Sequence, residues 1–181
     1  MSEGGDDDPD FRRSAVGCLD RLYSFARSLT RSRTAAEDLV QETYVRALRA
    51  ANRPTDPAGV RPWLFTILHN VWKNERRRRP PDAFYAPPDR LERIPTEAAT
   101  PEEALDHDSV TVKVWRSIEA LPDSYREVVL LRFSQGLTYR EIAEILDCPA
   151  GTVMSRLARA RALIIEAARP SREVRRVSGR H

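Results

Sequence analysis

Residues that build metal centres, disulfide frameworks and catalytic sites are scarce in this sequence. Its 181 residues include two cysteines and three histidines, and the cysteines, Cys18 and Cys148, form no CxxC pair. We therefore expect no metal site, no disulfide and no cofactor, and we expect both thiols to act as small buried apolar groups. The sequence also lacks a Gly-rich phosphate loop and a nucleophile–base pair, so it is not expected to be an enzyme.

Long apolar stretches are missing as well. No run approaches the roughly 20 apolar residues that a membrane-spanning helix needs. The first residues are acidic and lack the charged-then-apolar pattern of a signal peptide. These absences predict a cytoplasmic protein without membrane insertion.

Lysine is nearly absent, and the positive charge comes from clusters of arginine. The formal net charge is only +3, but its distribution along the chain is uneven. Acidic residues crowd the N-terminal end, whereas arginines gather at 76–79, at 156–161 and in the tail over 169–181. Basic clusters of this kind favour an anionic polymer, such as nucleic acid, as the partner.

The most informative stretch, 138–161, has the pattern of two helices joined by a tight corner. Thr138 and Glu141 have the spacing of a capping box, which marks the start of the first helix. Asp147 can adopt the left-handed backbone conformation that such a corner needs. Pro149 then suits the first position of the second helix, where its missing N–H is not required.

The second helix of this pair separates an apolar stripe from a polar row. The apolar positions recur at i, i+4, i+7 and i+11 and are Val153, Leu157, Ala160 and Ile164. The polar row, on another side, consists of Thr152, Ser155, Arg156 and Arg159. Hydroxyl and guanidinium groups suit base edges and phosphates in the major groove, so the pattern predicts a helix–turn–helix with this helix as reader. A helical hairpin with a solvated basic face would have the same pattern.

An acidic and amide stripe lies on an earlier helix, predicted over 35–51. Thr34 and Glu37 have the spacing of a capping box at its start. The stripe consists of Asp38, Gln41, Glu42 and Val45, at i, i+3, i+4 and i+7. Spacing alone allows either solvated surface or a docking face for a partner, and it favours solvated surface.

A third polar face lies on the helix that Pro62 is expected to open. It carries one aromatic ring, two amides and two cations: Trp63, Asn70, Lys73, Asn74 and Arg77. Aromatic rings stack on unpaired bases, amides read base edges and cations neutralise phosphate. The face therefore suits single-stranded nucleic acid, although Trp63 could equally pack at a helix junction.

The helical periodicity predicts an all-α fold of two small domains. The expected order is a disordered acidic tail over 1–10, a first domain over 11–79, a Pro-rich linker over 80–100, a second domain over 101–168 and a basic tail over 169–181. In the first domain, one helix is expected over 11–32. In the second, Trp115 and Ile118 are expected to anchor the core, and Gly136 to end the helix before the helix–turn–helix.

Four motifs, in this order, resemble bacterial sigma factors of the extracytoplasmic-function (ECF) type. They are Asp38 to Thr43, Trp63 to Asn70, Ala120 to Val128 and Gly151 to Leu157. The resemblance covers roughly Leu19 to Ala168, and it implies that the two domains are sigma region 2 and sigma region 4.

The resemblance also implies roles for the polar faces. The core-polymerase-binding residues would be Asp38, Leu39, Gln41, Glu42 and Val45. The −10 DNA-binding residues would be Trp63, Asn70, Lys73, Asn74 and Arg77. The −35 DNA-binding residues would be Arg140, Pro149, Gly151, Thr152, Ser155, Arg156 and Arg159. The implied partners are core RNA polymerase, promoter DNA and an anti-sigma factor, with the chain as a monomer in the holoenzyme.

Two other functions fit the same sequence less well. A stand-alone dimeric regulator with a helix–turn–helix would need a dimerisation helix, and the sequence has no heptad seam. An RNA-binding helical module gives no account of the acidic stripe that begins at Asp38. The function that the resemblance implies is therefore preferred: recognition of −35 and −10 promoter elements and melting of the −10 region.

Overall fold

The computed structural model describes residues 9–78 and 113–168, and every regular element within these two ranges is helical. The first domain contains α1 (Pro9–Val16), α2 (Leu19–Thr30), α3 (Arg33–Arg49) and α4 (Pro57–Arg78). The second contains α5 (residues 113–119), α6 (Asp123–Val129), a π-helical turn (Leu130–Ser134), α7 (Tyr139–Leu146) and α8 (Ala150–Ala168). The all-α prediction is confirmed. The acidic tail up to residue 8, the linker over 80–100 and the basic tail over 169–181 lie outside the described residues.

The single helix expected over 11–32 is in fact two helices. The backbone N–H of Gly17 donates to the carbonyl of Arg13, and that of Cys18 to the carbonyl of Ala15, each at 3.0 Å. These bonds end α1, where glycine is a poor helix former. The break lets each helix bury its own apolar face. Pro9 and Asp10, which were expected in the disordered tail, belong to α1.

α3 begins two residues before its predicted start. Its N-cap is Ser32, whose hydroxyl accepts a hydrogen bond from the backbone N–H of Ala35 at 3.4 Å. The predicted capping box is therefore wrong: Thr34 is an exposed residue inside the helix. Glu37 instead accepts from Arg33 Nε at 2.9 Å.

α4 begins at Pro57, five residues before the proline that was expected to open it. Asp56 Oδ1 accepts from the backbone N–H of Ala58 at 2.9 Å, which caps the helix at this earlier point. Pro62 lies inside α4. Its carbonyl accepts from the Thr66 hydroxyl at 3.0 Å. A proline is best tolerated near the start of a helix, where few N–H groups have intrahelical partners.

The second domain follows the predicted breaks. α5 stops before Leu121, and Gly136 has φ +67°, the left-handed conformation expected of a residue that ends a helix. Ile118 packs against the core. Trp115 does not anchor it, because its side chain is 47% exposed.

The two domains share one buried core. In the first domain α2, α3 and α4 pack together, with the rings of Phe25 and Phe65 5.4 Å apart. α4 also packs against α7, so that the same core includes Leu131, Ile142 and Ile145 of the second domain. Sequence periodicity predicted two domains but not this contact. A second, smaller cluster, Leu121, Val129 and Ala160, joins α6 to α8.

Candidate nucleic-acid and polymerase interfaces

The corner of the helix–turn–helix is fixed by local hydrogen bonds. The predicted capping box is present: the Thr138 hydroxyl accepts from the N–H of Glu141 at 3.3 Å, and the Glu141 carboxylate accepts from the N–H of Thr138 at 2.6 Å. At the other end of α7, Asp147 has the predicted left-handed conformation, with φ 50°. The N–H of Cys148 then donates to the carbonyl of Ala143 at 3.0 Å. Together these bonds set the angle at which α8 leaves α7.

The charge of Glu141 takes part in this cap. Burial alone would raise its pKa, but the hydrogen bonds from Thr138 and the nearby positive charge of Arg61 outweigh that effect. The pKa of Glu141 is therefore lower than usual, and the carboxylate is ionised at neutral pH. Arg61 belongs to α4, so the field that helps to hold this cap comes partly from the other domain.

The apolar stripe of α8 faces inward, as predicted. Val153 and Ala160 are fully buried, and Leu157 and Ile164 are half-buried against the core. Because these positions fix the rotation of the helix, the opposite side of α8 is left at the surface. That side carries the polar row.

The polar row is open to a ligand. Ser155 and Arg159 are exposed, and Thr152 and Arg156 are half-buried. The Ser155 hydroxyl donates to the carbonyl of Thr152 at 3.0 Å, so it would have to rotate to donate to a base. Among the described residues, neither guanidinium is paired with a carboxylate, which leaves both arginines available to an anion.

The N-terminal end of α8 adds to this surface. Pro149 directly precedes the helix instead of being its first residue, and its carbonyl accepts from the N–H of Thr152 at 2.9 Å. Gly151 is exposed, with open space where a Cβ would lie. The first turn of α8 has no acidic residue, so no carboxylate within that turn offsets the positive end of the helix dipole, although Glu144 and Asp147 line the groove beside it. Arg140, on α7, is exposed and pairs with Glu144 at 3.1 Å.

The polar face of α4 is partly surface and partly core. Asn70, Asn74 and Arg77 are exposed at i, i+4 and i+7, and Lys73 beside them is half-buried. Trp63 is half-buried, with its ring edge-on to Phe11 at 6.0 Å between centroids. The structure thus brings the two amides and the arginine together, whereas Trp63 packs at the junction with α1.

The acidic stripe of α3 lies at the surface, whereas Leu39, the other residue with an implied docking role, does not. Asp38 and Gln41 are exposed, whereas Val45 and Glu42 are half-buried, and Glu42 Oε1 accepts from Arg46 Nε at 2.7 Å. Leu39 is fully buried. Its side chain fills the core between the helices, which corrects its assignment to the docking face.

Sequence reasoning did not find the polar side chains that contact each other between the two domains. His69 and Arg76 of α4 face Glu127 and Asp123 of α6. The spacing of each pair along its own helix was visible in the sequence. No local sequence pattern shows that α4 and α6 meet, so the sequence alone could not predict which of these side chains contact each other.

Comparisons with known proteins match both domains. The family model described as "Sigma-70 region 2" matches residues 17–80, and the one described as "Sigma-70, region 4" matches residues 111–164. The chain is 37% identical over 140 residues to the "ECF RNA polymerase sigma-E factor" of Escherichia coli K12, covering 74% of this chain and 73% of that protein. It is 34% identical over 142 residues to the "RNA polymerase sigma-H factor" of Pseudomonas aeruginosa, covering 75% and 74%.

A similar solved structure is that of the sigma factor RpoE in complex with the anti-sigma factor NepR from Bartonella quintana. It has a TM-score of 0.66 and 27% sequence identity, and it covers 88% of this chain and 97% of that one. No helix in the described part of this chain is long and apolar enough to cross a membrane.

Proposed function

The chain belongs to the sigma-70 family as an ECF-type sigma factor, and from that premise we propose that it directs core RNA polymerase to promoters with −35 and −10 elements. In this proposal α8 reads the −35 element, α4 captures the −10 element and α3 docks on the polymerase. The proposal rests on the polar row of α8. This row is accessible to a ligand, whereas the other side of the helix is buried in the core.

The proposed −35 contacts are of two kinds, contacts to base edges and contacts to phosphates. The N-terminal end of α8 enters the major groove, where Thr152 and Ser155 lie nearest to base edges. Arg156 binds a base edge or the adjacent phosphate, and Arg159, about one turn further along, binds phosphate. Pro149, Gly151 and Arg140 surround the entry point, and they contribute shape and charge near the DNA backbone.

The proposed −10 contacts use the exposed amides of α4. Opening a base pair costs a few kcal/mol per base disturbed. Asn70 and Asn74 offset this cost by hydrogen bonding to unpaired bases, while Lys73 and Arg77 neutralise phosphates. The exposed part of Trp63 offers a stacking surface at the edge of the strand, although its ring also packs on Phe11.

The proposed partners follow the family and its solved structures. Core polymerase binds the stripe of α3 through Asp38 and Gln41, with Glu42 and Val45 at its edge, and it supplies all bond-making chemistry in the cytoplasm. The sigma factor of the similar solved structure is bound to an anti-sigma factor, and we extend that partner class to this chain.

In vitro transcription tests this function. Purified core polymerase is supplied with this protein on a library of promoter fragments, and the 5′ ends of the transcripts are sequenced. We expect starts at positions that share a −35 and a −10 sequence and that core polymerase alone does not use. A matched control carries Arg13→Gln, an exposed arginine outside all three faces, and it should give the same starts. Transcripts that begin at the same positions with and without the protein contradict the proposal.

A further inference from the structure

The short helix α1 is held against the two helices that follow it in the first domain, α3 and α4. The hydroxyl of Tyr44, on α3, donates to the carbonyl of Ala15 at 2.6 Å, which fixes the C-terminal half of α1. Burial raises the pKa of Tyr44 to about 12, so this hydroxyl keeps its proton and remains a donor at neutral pH. α1 also packs along α4, and this packing places Phe11 beside the helix that carries the proposed −10 contacts.

The ring of Phe11 contacts two other side chains at once, although it is only 4% exposed. The ring of Trp63, on α4, stands edge-to-face with it, with centroids 6.0 Å apart and planes at 70°. The guanidinium of Arg53 lies over it, with Cζ 5.3 Å from the ring centroid. One buried ring of α1 thus joins the loop between α3 and α4 to the aromatic residue among the proposed −10 contacts.

Arg53 connects this aromatic pair to the end of α3. Its Nη2 donates to the carbonyl of Leu48 in the last turn of that helix. Cation–π contacts are stronger where the cation is partly desolvated, and Arg53 is half-buried. The loop that follows is tightly packed, because a Cβ on Gly59 would lie only 3.3 Å from Cβ of Pro54. The position of the Phe11 ring is therefore set within the protein and needs no bound DNA.

Trp63 is the first of the proposed −10 contacts along α4. Asn70 and Asn74 follow it at i+7 and i+11, so the three side chains share one side of the helix. Trp63 is half-buried, so part of its ring remains at the surface, where an unpaired base can stack on it. A ring that is already held in one orientation loses less conformational freedom when a ligand binds. The contact with Phe11 therefore prepares Trp63 for stacking before the strands separate.

We propose that Phe11 is a positioning residue for capture of the −10 strand. Its ring, held by Arg53, keeps the indole of Trp63 in the orientation in which an unpaired base stacks on it. Phe11 is itself too buried to contact DNA and acts through Trp63. The proposal rests on the proposed function, which assigns −10 capture to α4. It also gives a role to α1, which precedes the residues that the region 2 family model matches, 17–80.

NMR of the full chain, without polymerase, tests whether Phe11 holds the indole. The sequence has three tryptophans, and single Trp→Phe variants assign their indole N–H signals. The heteronuclear NOE of each indole nitrogen reports motion on the picosecond-to-nanosecond timescale. In the parent we expect Trp63 to be as rigid as the buried Trp72. Phe11→Leu should lower the NOE of Trp63 but not that of Trp72, and Phe11→Tyr, which keeps a ring, should retain the parental value.

Holoenzymes with the same variants test the role in −10 capture. Phe11→Leu should reduce the open complex, detected by permanganate reactivity, about two- to tenfold, as expected for the loss of one aromatic pair. Initial promoter binding and core binding should not change, and Phe11→Tyr should keep most of the open complex. Phe25→Leu is the matched control. It removes a ring from a second aromatic pair of the same domain, and its partner, Phe65, is fully buried and belongs to no proposed binding face.

Equal rigidity of the Trp63 indole in the parent and in Phe11→Leu overturns the positioning role, and so does an equal loss of open complex in Phe25→Leu. A mobile indole with a parental open complex overturns the role in −10 capture.

A second variant covers the case in which Phe11→Leu does not fold, as judged by circular dichroism. Arg53→Gln removes the cation over the Phe11 ring at a half-buried position. It should lower the NOE of Trp63 and the open complex in the same direction but less, and parental values of both overturn the proposal. The NMR measurement needs no promoter. A parent that forms no open complex therefore contradicts the proposed function, while the NOE still decides whether Phe11 holds the ring.

Discussion

At the scale of single residues, Glu141 matters because its charged carboxylate caps the start of α7. Its carboxylate accepts from both the N–H and the hydroxyl of Thr138, and these bonds lower its pKa against the opposing effect of burial. A group whose folded pKa is lowered stabilises the fold above its unfolded pKa, and that stabilisation is lost as the pH falls through the folded pKa.

The first prediction follows from the lowered pKa of Glu141 in the folded protein. Glu141→Gln removes the charge and keeps the shape, so it should lower the free energy of unfolding at pH 7, and the difference from the parent should disappear as the pH falls below the usual value of 4.5. Thr138→Ala removes the hydroxyl instead and should cost about 0.5–2 kcal/mol at pH 7. Urea unfolding between pH 3 and 7 measures both. A difference for Glu141→Gln that is constant over this range would show that the charge has no part in the cap.

The second prediction distinguishes the two arginines of the reader helix. If Arg156 binds a guanine edge, Arg156→Ala should cost ~1–3 kcal/mol of promoter binding and relax specificity at one position. If Arg159 grips phosphate, Arg159→Ala should weaken binding equally across sequences and reduce the salt slope by ~1. Binding to −35 variants at several salt concentrations measures both quantities. Parental binding by both variants would mean that this side of α8 is only solvated surface.

At the scale of elements, the third prediction concerns the docking stripe of α3. Asp38→Lys combined with Glu42→Lys should weaken binding to core polymerase roughly tenfold or more, since reversed charges repel a complementary surface. Asp20→Lys is the control, because Asp20 is an exposed carboxylate on a different helix, α2, outside the docking stripe. A quantitative pull-down gives the affinities, and circular dichroism checks that the helices are intact. Equal losses in both proteins would point to a general charge effect.

The fourth prediction concerns the exposed face of α4. Asn70→Ala and Arg77→Ala should reduce the open complex, detected by permanganate reactivity of unpaired thymines, more than they reduce initial promoter binding. The reason is that base capture is gained only once the strands separate. Arg49→Ala, an exposed arginine at the end of α3, is the control for charge. If permanganate reactivity and initial binding fall in parallel, α4 has no specific part in melting.

Element boundaries show where sequence reasoning succeeds. The start of α7 was predictable because the cap involves two residues, Thr138 and Glu141, three positions apart. The start of α4 was not, because both Pro57 and Pro62 fit a first turn and only the Asp56 cap decides between them. Leu39 lies three positions after Ala36 and four before Thr43, so helical spacing already predicted that it faces inward, and its burial corrects only the docking role that the resemblance implied.

At the scale of the whole molecule, the contact between α4 and α7 is the feature that the sequence could not predict. Each helix has an apolar face that would suit its own domain, and no local pattern says that the two faces meet. The candidate binding faces, by contrast, were largely visible, because each lies on one helix at regular spacing. What the structure adds is their relation: the proposed −10 helix is packed on the first helix of the reader pair.

The last prediction tests the contact between α4 and α7 by measuring stability and amide hydrogen exchange. Ile142 is fully buried in the cluster that both domains share, whereas Val129 is buried in the smaller cluster between α6 and α8. Ile142→Ala should cost about 2–5 kcal/mol, because it removes buried methyl groups and leaves a cavity. If the shared core couples the domains, it should also speed amide hydrogen exchange in α4, since local opening there would no longer be opposed by α7.

Val129→Ala is the matched control for that experiment. It shortens a buried side chain in the same domain but outside the shared cluster, so faster exchange should be confined to α6 and α8. Exchange is followed by mass spectrometry of peptides from α4 and α8 at one pH and temperature. Because domains with separate cores open independently, unchanged exchange of α4 in Ile142→Ala would mean that the contact between α4 and α7 carries no stability.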